Sequence, residues 1–286
     1  MQVLPAPHFT CPHDGTPLAS TGSTLVCVRK HTFDIAREGY VNLLPVQDKA
    51  SIDPGDSKDM VAARRRFLDT GAYAPIAAAL AGFTLSAINR RAGSAPFTIL
   101  DAGCGEGYYL QALAAHLARQ AGSTAVRLAG IDISKWAVRA AARRNLPVAW
   151  AVASNRRPPL PPQSTDLVIC LFGFPIWDGF ATAQPDGGEV LLIDPGPDHL
   201  LELREIIYPE VRRSERGHTT DTRDYRQSSE TRVRTGIHVA AQEAIADLLA
   251  MTPHAHRGTI EGKAALLARS TLDTTIDVVL RGFKRG

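Results

Sequence analysis

The sequence of 286 residues contains few cysteines, no long apolar run and little net charge. Four cysteines are too few to staple a chain of this length as a disulfide scaffold, and we expect them to stay reduced. The longest apolar segment, Leu167–Trp177, is interrupted by Gly173 and Pro175, so no membrane-spanning helix is predicted. The first ten residues lack a basic start and an apolar stretch, so we expect no secretory signal and a cytoplasmic protein.

Hydrophobic residues make up 44% of the chain, which is enough to form the core of a globular protein. The formal net charge of +3, from 32 Lys plus Arg and 29 Asp plus Glu, is too small to indicate nucleic-acid binding by itself. Arginines are nevertheless clustered, and a planar guanidinium suits phosphate recognition. Solvated helix faces balanced by nearby acids explain such clusters equally well. The clusters are Arg64–Arg66, Arg143–Arg144 and Arg204–Arg234.

The chain divides into three segments that differ in their pattern of residues. Residues 1–36 form a small, loop-rich module, and residues 37–95 form a connector with helices. From residue 96 to residue 286, short apolar strands alternate with alanine-rich helices, which is typical of a parallel sheet with crossover helices. We therefore predict an α/β fold: a doubly wound, mostly parallel sheet of Rossmann type, preceded by the small module.

The pattern of apolar residues and breakers predicts the following elements. In the connector, Ser57 caps a helix over Lys58–Leu68, and a second helix covers Ala74–Asn89 before Gly93. The strands are Thr98–Ala102, Arg127–Ile131, Ala149–Val152, Asp166–Leu171, Glu189–Asp194 and Thr274–Leu280. The later helices are Tyr109–Ala121, Lys135–Asn145, His199–Tyr208 and Ala240–Ala250, whereas the arginine-rich stretch up to Gly236 has no predicted element. Cys104 and Cys170 fall in sheet segments and are expected to be buried.

A glycine-rich turn follows the first strand of the predicted sheet. Gly103, Gly105 and Gly107 alternate after Asp101, so the backbone can turn sharply and its N–H groups can face a ligand. In a dinucleotide fingerprint the third glycine comes later, and an acid beside a pyrophosphate would be unfavourable. Asp132, at the end of the second strand, can accept both hydroxyls of a ribose.

These features favour S-adenosylmethionine, which carries a ribose but has cationic groups where a dinucleotide has phosphates. Ser154, after the third strand, is then expected near the adenine. Another nucleotide ligand on a doubly wound sheet is the alternative.

The first module has the spacing of a small zinc site. Cys11, Cys27 and His31 are candidate ligands, and the fourth is Asp14 or its neighbour His13. An aspartate is a harder ligand than the cysteine expected at that position. The alternative is a loop without metal that is held together by packing.

Several longer passages are specific enough to resemble a known family. They are Cys27–His31, Phe33–Asp34, Glu38–Gln47, Asp53–Ser57, Ala63–Arg65, Phe67–Asp69, Tyr73, Asp101–Tyr109, Asp132–Lys135, Pro195–Pro197, His199–Leu200 and Glu202–Leu203. Together they resemble the bacterial 23S ribosomal RNA (guanine-N1)-methyltransferases along nearly the whole chain.

The resemblance implies a zinc-binding RNA-recognition module, a Rossmann-like methyltransferase domain that binds S-adenosylmethionine, and a homodimer that cradles a hairpin of 23S ribosomal RNA. It implies cofactor contacts for Tyr73, Gly105, Glu106 and His199. It also implies zinc ligation by Cys11, Asp14, Cys27 and His31, with Asp14 departing from the family's cysteine. The chain departs again at residues 171–177, where base contacts are expected.

The residue that takes a proton from the guanine is not identified by the sequence. Asp194, at the end of a predicted strand, is a candidate, although it is equally an ordinary turn acid before Pro195. Two other functions stay open: a small-molecule methyltransferase on the same cofactor domain, and a non-catalytic RNA-binding protein.

Overall fold

The computed structural model describes residues 1–48, 51, 53–91, 95–120, 122–213 and 222–286. Its strands are β1 (Gln2–Pro5), β2 (Ala19–Thr21), β3 (Thr24–Val26), β4 (Thr32–Asp34), β5 (Tyr40–Asn42), β6 (Phe97–Ala102), β7 (Ala125–Asp132), β8 (Ala149–Val152), β9 (Leu167–Leu171), β10 (Glu189–Pro195), β11 (Tyr225–Val239) and β12 (Leu272–Arg285). Its helices are α1 (Lys58–Asp69), α2 (Ala74–Arg90), α3 (Tyr108–Ala118), α4 (Lys135–Ala142), α5 (Trp177–Ala183), α6 (Leu201–Ile207), α7 (Gln242–Ala250), α8 (His254–Arg257) and α9 (Ile260–Leu267), with a short 3-10 helix at Val46–Asp48.

A large sheet of nine strands has the order β11-β12-β10-β9-β6-β7-β8-β5, with β1 also paired to β7. Strands β1 and β5–β10 pair in parallel with one another, whereas β12 is antiparallel to both β10 and β11. From β6 the chain continues to β7 and β8 on one side, and then returns to β9 and β10 on the other. The order therefore reverses between β6 and β9, and the crevice at the carboxyl ends of these strands is where open α/β sheets bind ligands.

The central strand β6 is buried along its whole length because apolar side chains cover both faces of the sheet. Ile99 packs in one cluster with Leu110 and Leu113 of α3. Leu100, its neighbour, packs in a second cluster with Phe180 of α5. The alternation of side chains along the strand thus supplies a core to each face.

The three short strands β2, β3 and β4 form a separate antiparallel sheet. We call residues 9–36, which include this sheet, the ribbon. The chain on either side of the ribbon joins the large sheet, because β1 pairs with β7 and β5 pairs with β8. The large sheet therefore takes strand β1 from the predicted segment 1–36 and strand β5 from the predicted segment 37–95.

The mostly parallel sheet, the six predicted strands and the predicted helices are all present, with ends that differ by a few residues. Ser57 caps α1 as predicted, because its side chain accepts a hydrogen bond from the backbone N–H of Met60. Cys104 and Cys170 are buried as expected. Some positions of the predicted elements and clusters lie outside the described residues, namely Gly93, Ala121 and Arg216.

The stretch without a predicted element holds the long edge strand β11. Its side chains are mostly exposed, so apolar periodicity could not reveal it. In the described ranges, no single helix is long and apolar enough to cross a membrane; α1 and α2 meet that test only as a pair, bent by 84°.

Replacing Gly130 in β7 by alanine should lower the free energy of unfolding by about 1–3 kcal/mol, because overpacking forces a core to shift. A Cβ atom there would overlap the Trp150 ring, 2.6 Å from Cε3, and would lie 3.1 Å from Leu110 Cδ1. Urea unfolding measures the change.

Gly236 in β11 provides the matched control, since a Cβ atom there meets no atom within 4 Å in the part of the chain that the structure describes. Gly236→Ala should change the free energy of unfolding by less than about 0.5 kcal/mol. Equal effects at the two positions would contradict the packing described for β7.

Candidate cofactor site and metal centre

The glycine-rich turn lies between β6 and α3 and is tied to the end of β7. Gly103, Gly105 and Gly107 have φ values of +105°, +55° and +82°, which L side chains rarely adopt. The N–H groups of Gly103 and Cys104 both donate to the carbonyl of Ile131, at 2.9 Å each. The turn is therefore held at the crevice where the strand order reverses.

Asp132 supports this turn with both of its carboxylate oxygens. Oδ2 accepts a hydrogen bond from the N–H of Gly105 at 3.0 Å, and Oδ1 accepts one from the N–H of Ser134 at 2.8 Å. A carboxylate oxygen can accept more than one hydrogen bond. Asp132 can therefore accept ribose hydroxyls while it holds the turn.

Two further carboxylates are buried around the turn. Asp101 Oδ1 and Glu106 Oε1 have no hydrogen-bond partner among the described residues, although Arg144 Nη2 lies 3.5 Å from Glu106 Oε1. Burial raises the pKa of Asp101, and the nearby charges of Asp132 and Glu106 raise it further. Burial also raises the pKa of Glu106, against the effects of Arg64 and Arg144.

Buried acceptors without partners are uncommon in folded proteins and call for a physical explanation. A ligand with cationic groups would relieve both the charge repulsion and the lost hydrogen bonds. S-adenosylmethionine, with an ammonium and a sulfonium, meets this requirement at a turn whose next strand ends in a ribose-accepting acid.

Tyr73 and His199, which are 126 residues apart, meet at the same crevice. The Tyr73 hydroxyl lies 3.2 Å from His199 Nε2, and the N–H of Asp277 donates to His199 Nδ1 at 3.2 Å. Nδ1 is thus the acceptor, so Nε2 carries the proton and donates to Tyr73. Burial lowers the pKa of His199 to about 4 and raises the pKa of Tyr73. Both side chains are neutral near pH 7, and Phe172 packs against both rings.

Ser154 lies after β8 in a cleft of about 430 Å³ that is also lined by Pro12, by residues that follow β5 and by Arg157. Its hydroxyl accepts a hydrogen bond from the N–H of Arg156 at 3.2 Å. Its neighbour Asn155 donates from Nδ2 to the carbonyl of Ala102 at 3.2 Å, which connects the end of β8 to the end of β6. The position of Asn155 was not predicted, because no local sequence motif marks an amide there.

The segment Asp53–Ser57, predicted as a connector turn, packs on the turn after β7. A Cβ atom on Gly55, whose φ is +83°, would lie 2.9 Å from Ile133 Cγ2 and 2.9 Å from Ser134 Cβ. The Ser134 hydroxyl donates to the carbonyl of Asp56 at 2.7 Å, and Trp136 Nε1 donates to Asp53 at 2.7 Å. The connector is therefore part of the support for Asp132.

The arginines of the clusters Arg64–Arg66 and Arg143–Arg144 form ion pairs with acidic side chains of the protein. Arg64 pairs with Asp56 at 2.5 Å, Arg65 with Asp69 at 3.5 Å and Arg66 with Asp247 at 2.6 Å. Helix α1 separates these side chains, because successive residues of a helix point about 100° apart. In the second cluster, Arg143 pairs with Glu38 and the buried Arg144 with Asp69, each at 3.0 Å. In these two clusters the arginine charges are therefore balanced by nearby acids, which was the alternative to phosphate contact.

Four residues of the ribbon form a compact ligand set: Cys11, Asp14, Cys27 and His31, whose ligand atoms lie within 4.8 Å of one another. His31 Nδ1 lies 3.1 Å from Asp14 Oδ2 and 3.4 Å from each cysteine sulfur. Cys27 Sγ lies 3.4 Å from Asp14 Oδ2. Such separations match the edges of a tetrahedron with metal–ligand distances of about 2.0–2.3 Å, so the set fits zinc.

Asp14, rather than His13, lies within the group of four candidate ligands. Its second oxygen, Oδ1, accepts hydrogen bonds from the backbone N–H and the hydroxyl of Thr16, at 2.9 and 2.6 Å. These two bonds are the main reason that the pKa of Asp14 is lowered, and they fix the orientation of the carboxylate. The ring of His13 stacks on Phe33 instead.

The site and the fold agree with the comparisons. The family described as RlmA, N-terminal zinc ribbon, matches residues 9–52, and a methyltransferase-domain family matches residues 99–184. A Bacillus subtilis (strain 168) protein named provisionally as the 23S rRNA (guanine-N(1)-)-methyltransferase YxjB is 32% identical over 284 residues, covering 96% of this chain and 97% of its own. The chain belongs to the 23S rRNA (guanine-N1)-methyltransferase family. This family membership identifies the ribbon as a zinc ribbon and the large sheet as a methyltransferase domain.

A second relative in this methyltransferase family is the 23S rRNA (guanine(748)-N(1))-methyltransferase of Streptomyces fradiae. It is 36% identical over 209 residues, which cover 70% of this chain and 68% of the relative. A Micromonospora griseorubida protein, named provisionally as a 23S rRNA (guanine-N(1)-)-methyltransferase, is 36% identical over 211 residues and covers 69% of this chain and 68% of its own.

Asp132→Asn should weaken binding of S-adenosylmethionine by about ten-fold or more, because the hydrogen bonds from ribose hydroxyls to a carboxylate are charge-assisted. The amide keeps one oxygen for the turn and nearly the same size. Isothermal titration calorimetry measures the affinity, and thermal unfolding checks that the variant is folded. An unchanged affinity in a folded variant would remove the ribose assignment.

The ribbon should carry about one equivalent of zinc after purification without chelator. Asp14→Ala should lose most of that zinc and His13→Ala should keep it, as measured by elemental analysis. Asp14→Cys should release zinc to a chelator more slowly than the wild type, since thiolate is the softer ligand. Less than about a tenth of an equivalent in the wild type would favour a metal-free loop.

Proposed function

We propose that the protein transfers a methyl group from S-adenosylmethionine to N1 of a guanine in 23S ribosomal RNA. The observation that carries this proposal is the group of buried carboxylates around the glycine-rich turn, in a chain that a relative matches from end to end. Those carboxylates suit a cationic cofactor, and the family supplies the acceptor. The activity would be cytoplasmic, since ribosomal RNA is its substrate.

When bound, S-adenosylmethionine supplies a methyl group on a positively charged sulfur. Asp132 would hold the ribose hydroxyls, while Asp101 and Glu106 would face the cationic end. The neutral pair of Tyr73 and His199 would close the crevice on the side of α2 and β12. Ser154 would lie on the adenine side, at the end of β8. These residues fix the cofactor, so that most of the rate enhancement comes from positioning.

Guanine N1 lies on the Watson–Crick edge, so the base has to be unpaired or turned out of its helix before it can react. The loop after β9 lies over the end of β6, since a Cβ atom on Gly173 would contact Cys170 Sγ at 3.0 Å and the Ala102 carbonyl at 3.9 Å. Phe174 in this loop is 76% exposed. The loop that carries it would border an extruded base at the end of β6.

The N1 proton leaves during methyl transfer and needs an acceptor. Asp194 lies at the end of β10 with its side chain 3% exposed, and its Oδ2 is 3.9 Å from Arg281 Nη1. It stays a candidate for this role, together with water.

The ribbon is held at the carboxyl edge of the sheet, where it can present RNA to the crevice. The N–H of Thr10 donates to the carbonyl of Pro159 at 2.9 Å, and Arg157 Nη1 donates to the carbonyl of Pro12 at 3.1 Å. The turn between the ligands Cys27 and His31 exposes Val28, Arg29 and Lys30. We propose that this turn contacts the phosphates of an RNA hairpin, and that a homodimer cradles the hairpin as the resemblance implies.

The decisive experiment uses 23S ribosomal RNA from a strain that lacks the gene. Recombinant protein should transfer labelled methyl from S-adenosylmethionine to this RNA and create one new stop for reverse transcriptase, because a methyl on N1 blocks base pairing. RNA from the complemented strain, which already carries the methyl, is the control acceptor.

Three outcomes would contradict the proposal. Identical reverse-transcriptase stops in deletion and wild-type RNA, with none added by the protein, would exclude a 23S target. Methylation of small molecules alone would favour the small-molecule enzyme. Cofactor-independent RNA binding without transfer would favour a non-catalytic RNA-binding protein.

Replacing Arg29 and Lys30 by glutamine should weaken RNA binding and reduce its dependence on salt by about two counterions, because each phosphate contact releases about one. Affinity for S-adenosylmethionine should stay the same. Filter binding over a range of salt concentrations measures the slope. Replacement of Arg65 and Arg66, which pair with Asp69 of α1 and Asp247 of α7, is the matched control and should leave the slope nearly unchanged.

A further inference from the structure

Arg64 is set apart from the other arginines of its cluster by its position. Its guanidinium is held between Asp56, 2.5 Å from Nη1, and the carbonyl of Met251 after α7, 3.3 Å from Nη2. Its side chain is 23% exposed, compared with 40% for Arg65 and 63% for Arg66. Helix α1 therefore directs Arg64 inward, towards the glycine-rich turn.

The guanidinium of Arg64 is the neighbour of the open space above Gly105. A Cβ atom on Gly105 would meet Arg64 Nη1 at 3.7 Å and, outside its chain neighbours, no other atom of the described residues within 4 Å. The same guanidinium is close enough to Glu106 and Asp132 to interact with their charges. Any ligand that lies along the turn at Gly105 thus lies beside this cation.

The charges around the turn indicate which group of the cofactor would lie beside Arg64. The turn is bordered by four acids: Asp56, Asp101, Glu106 and Asp132. S-adenosylmethionine brings two cationic groups, which suit these acids, and one carboxylate, which they would repel. The carboxylate needs a cation, and a guanidinium suits a carboxylate because its N–H groups can bind both oxygens.

Arg144, the other arginine near Glu106, is already committed to protein groups. Its Nε donates to the carbonyl of Glu106 at 2.7 Å, and its Nη1 pairs with Asp69 at 3.0 Å. Its side chain is only 4% exposed, and its Nη2, which has no hydrogen-bond partner among the described residues, lies 3.5 Å from Glu106 Oε1 rather than beside Gly105. Arg64 is the arginine that faces the turn.

We propose that Arg64 binds the α-carboxylate of S-adenosylmethionine and so selects the amino-acid end of the cofactor. This inference rests on the proposed function, since it assumes the same cofactor. Asp56 acts as a positioning residue, because it holds the guanidinium at the turn without touching the cofactor.

The test compares S-adenosylmethionine with decarboxylated S-adenosylmethionine, which lacks only the carboxylate. Wild-type protein should bind S-adenosylmethionine at least about ten-fold more tightly than the decarboxylated form. In Arg64→Gln, affinity for S-adenosylmethionine should fall by that same factor, whereas affinity for the decarboxylated form should change by less than about two-fold. Isothermal titration calorimetry measures all four affinities.

Arg65→Gln, at the adjacent position, is the matched control and should leave both affinities within about two-fold of the wild type. Thermal unfolding checks the fold of each variant. Should Arg64→Gln fail to fold, Arg64→Lys carries the test, since it keeps the charge but loses the planar fork and should narrow the preference for the carboxylated form.

Equal weakening of both cofactors by Arg64→Gln would overturn the proposal, because Arg64 would then shape the turn rather than bind the carboxylate. Unchanged binding of S-adenosylmethionine by that variant would overturn it as well. Failure of the wild type to bind either compound would contradict the proposed function itself.

Discussion

The carboxylates of Asp101 and Glu106 are buried around one glycine-rich turn, with the half-buried carboxylate of Asp132 beside them, and much of the surrounding structure follows from the need to keep them there. Removing a charged group from water costs several kcal/mol unless hydrogen bonds or opposite charges compensate it. Backbone N–H groups compensate Asp132, and Arg64 and Arg144 act on Glu106. Asp101 has one oxygen without a partner among the described residues. The protein alone leaves this cluster incompletely compensated, and a cationic ligand completes it.

The sheet determines where this cluster can form. Parallel strands end at the same edge, and the order of strands reverses at β6, so the turns after β6, β7 and β9 lie side by side. The glycines let the first of these turns approach the second closely enough for two hydrogen bonds to the Ile131 carbonyl. Side chains from distant parts of the chain, such as Tyr73 and His199, then reach the same crevice because α2 and the start of α6 border it.

The features that could be predicted from the sequence are those formed by short, contiguous segments. A buried strand, alternating glycines and an acid at the end of the next strand occupy short, contiguous segments, and the structure places Asp101, Gly105 and Asp132 together as the pattern indicates. The spacing of the candidate metal ligands within the ribbon is short as well, and the structure brings Cys11, Asp14, Cys27 and His31 together. The edge strand β11 was not predicted, since its mostly polar, exposed side chains lack an apolar period. The role of Arg64 was also hidden: consecutive arginines look like one basic cluster until helical geometry turns them to different faces.

The connector shows how a distant segment becomes part of the cofactor site. Gly55 can approach the turn after β7 only because it has no side chain, and the Ser134 hydroxyl then reaches the Asp56 carbonyl. Asp56 in turn forms an ion pair with Arg64 and holds it against the glycine-rich turn. Asp56 directly precedes Ser57, the N-cap of helix α1, and Arg64 lies in that helix. The same five-residue segment thus supports the turn that holds Asp132 from one side and positions the guanidinium on the other. Because the ribbon joins the sheet through β5 just before this segment, the chain that follows the ribbon leads directly to the cofactor site.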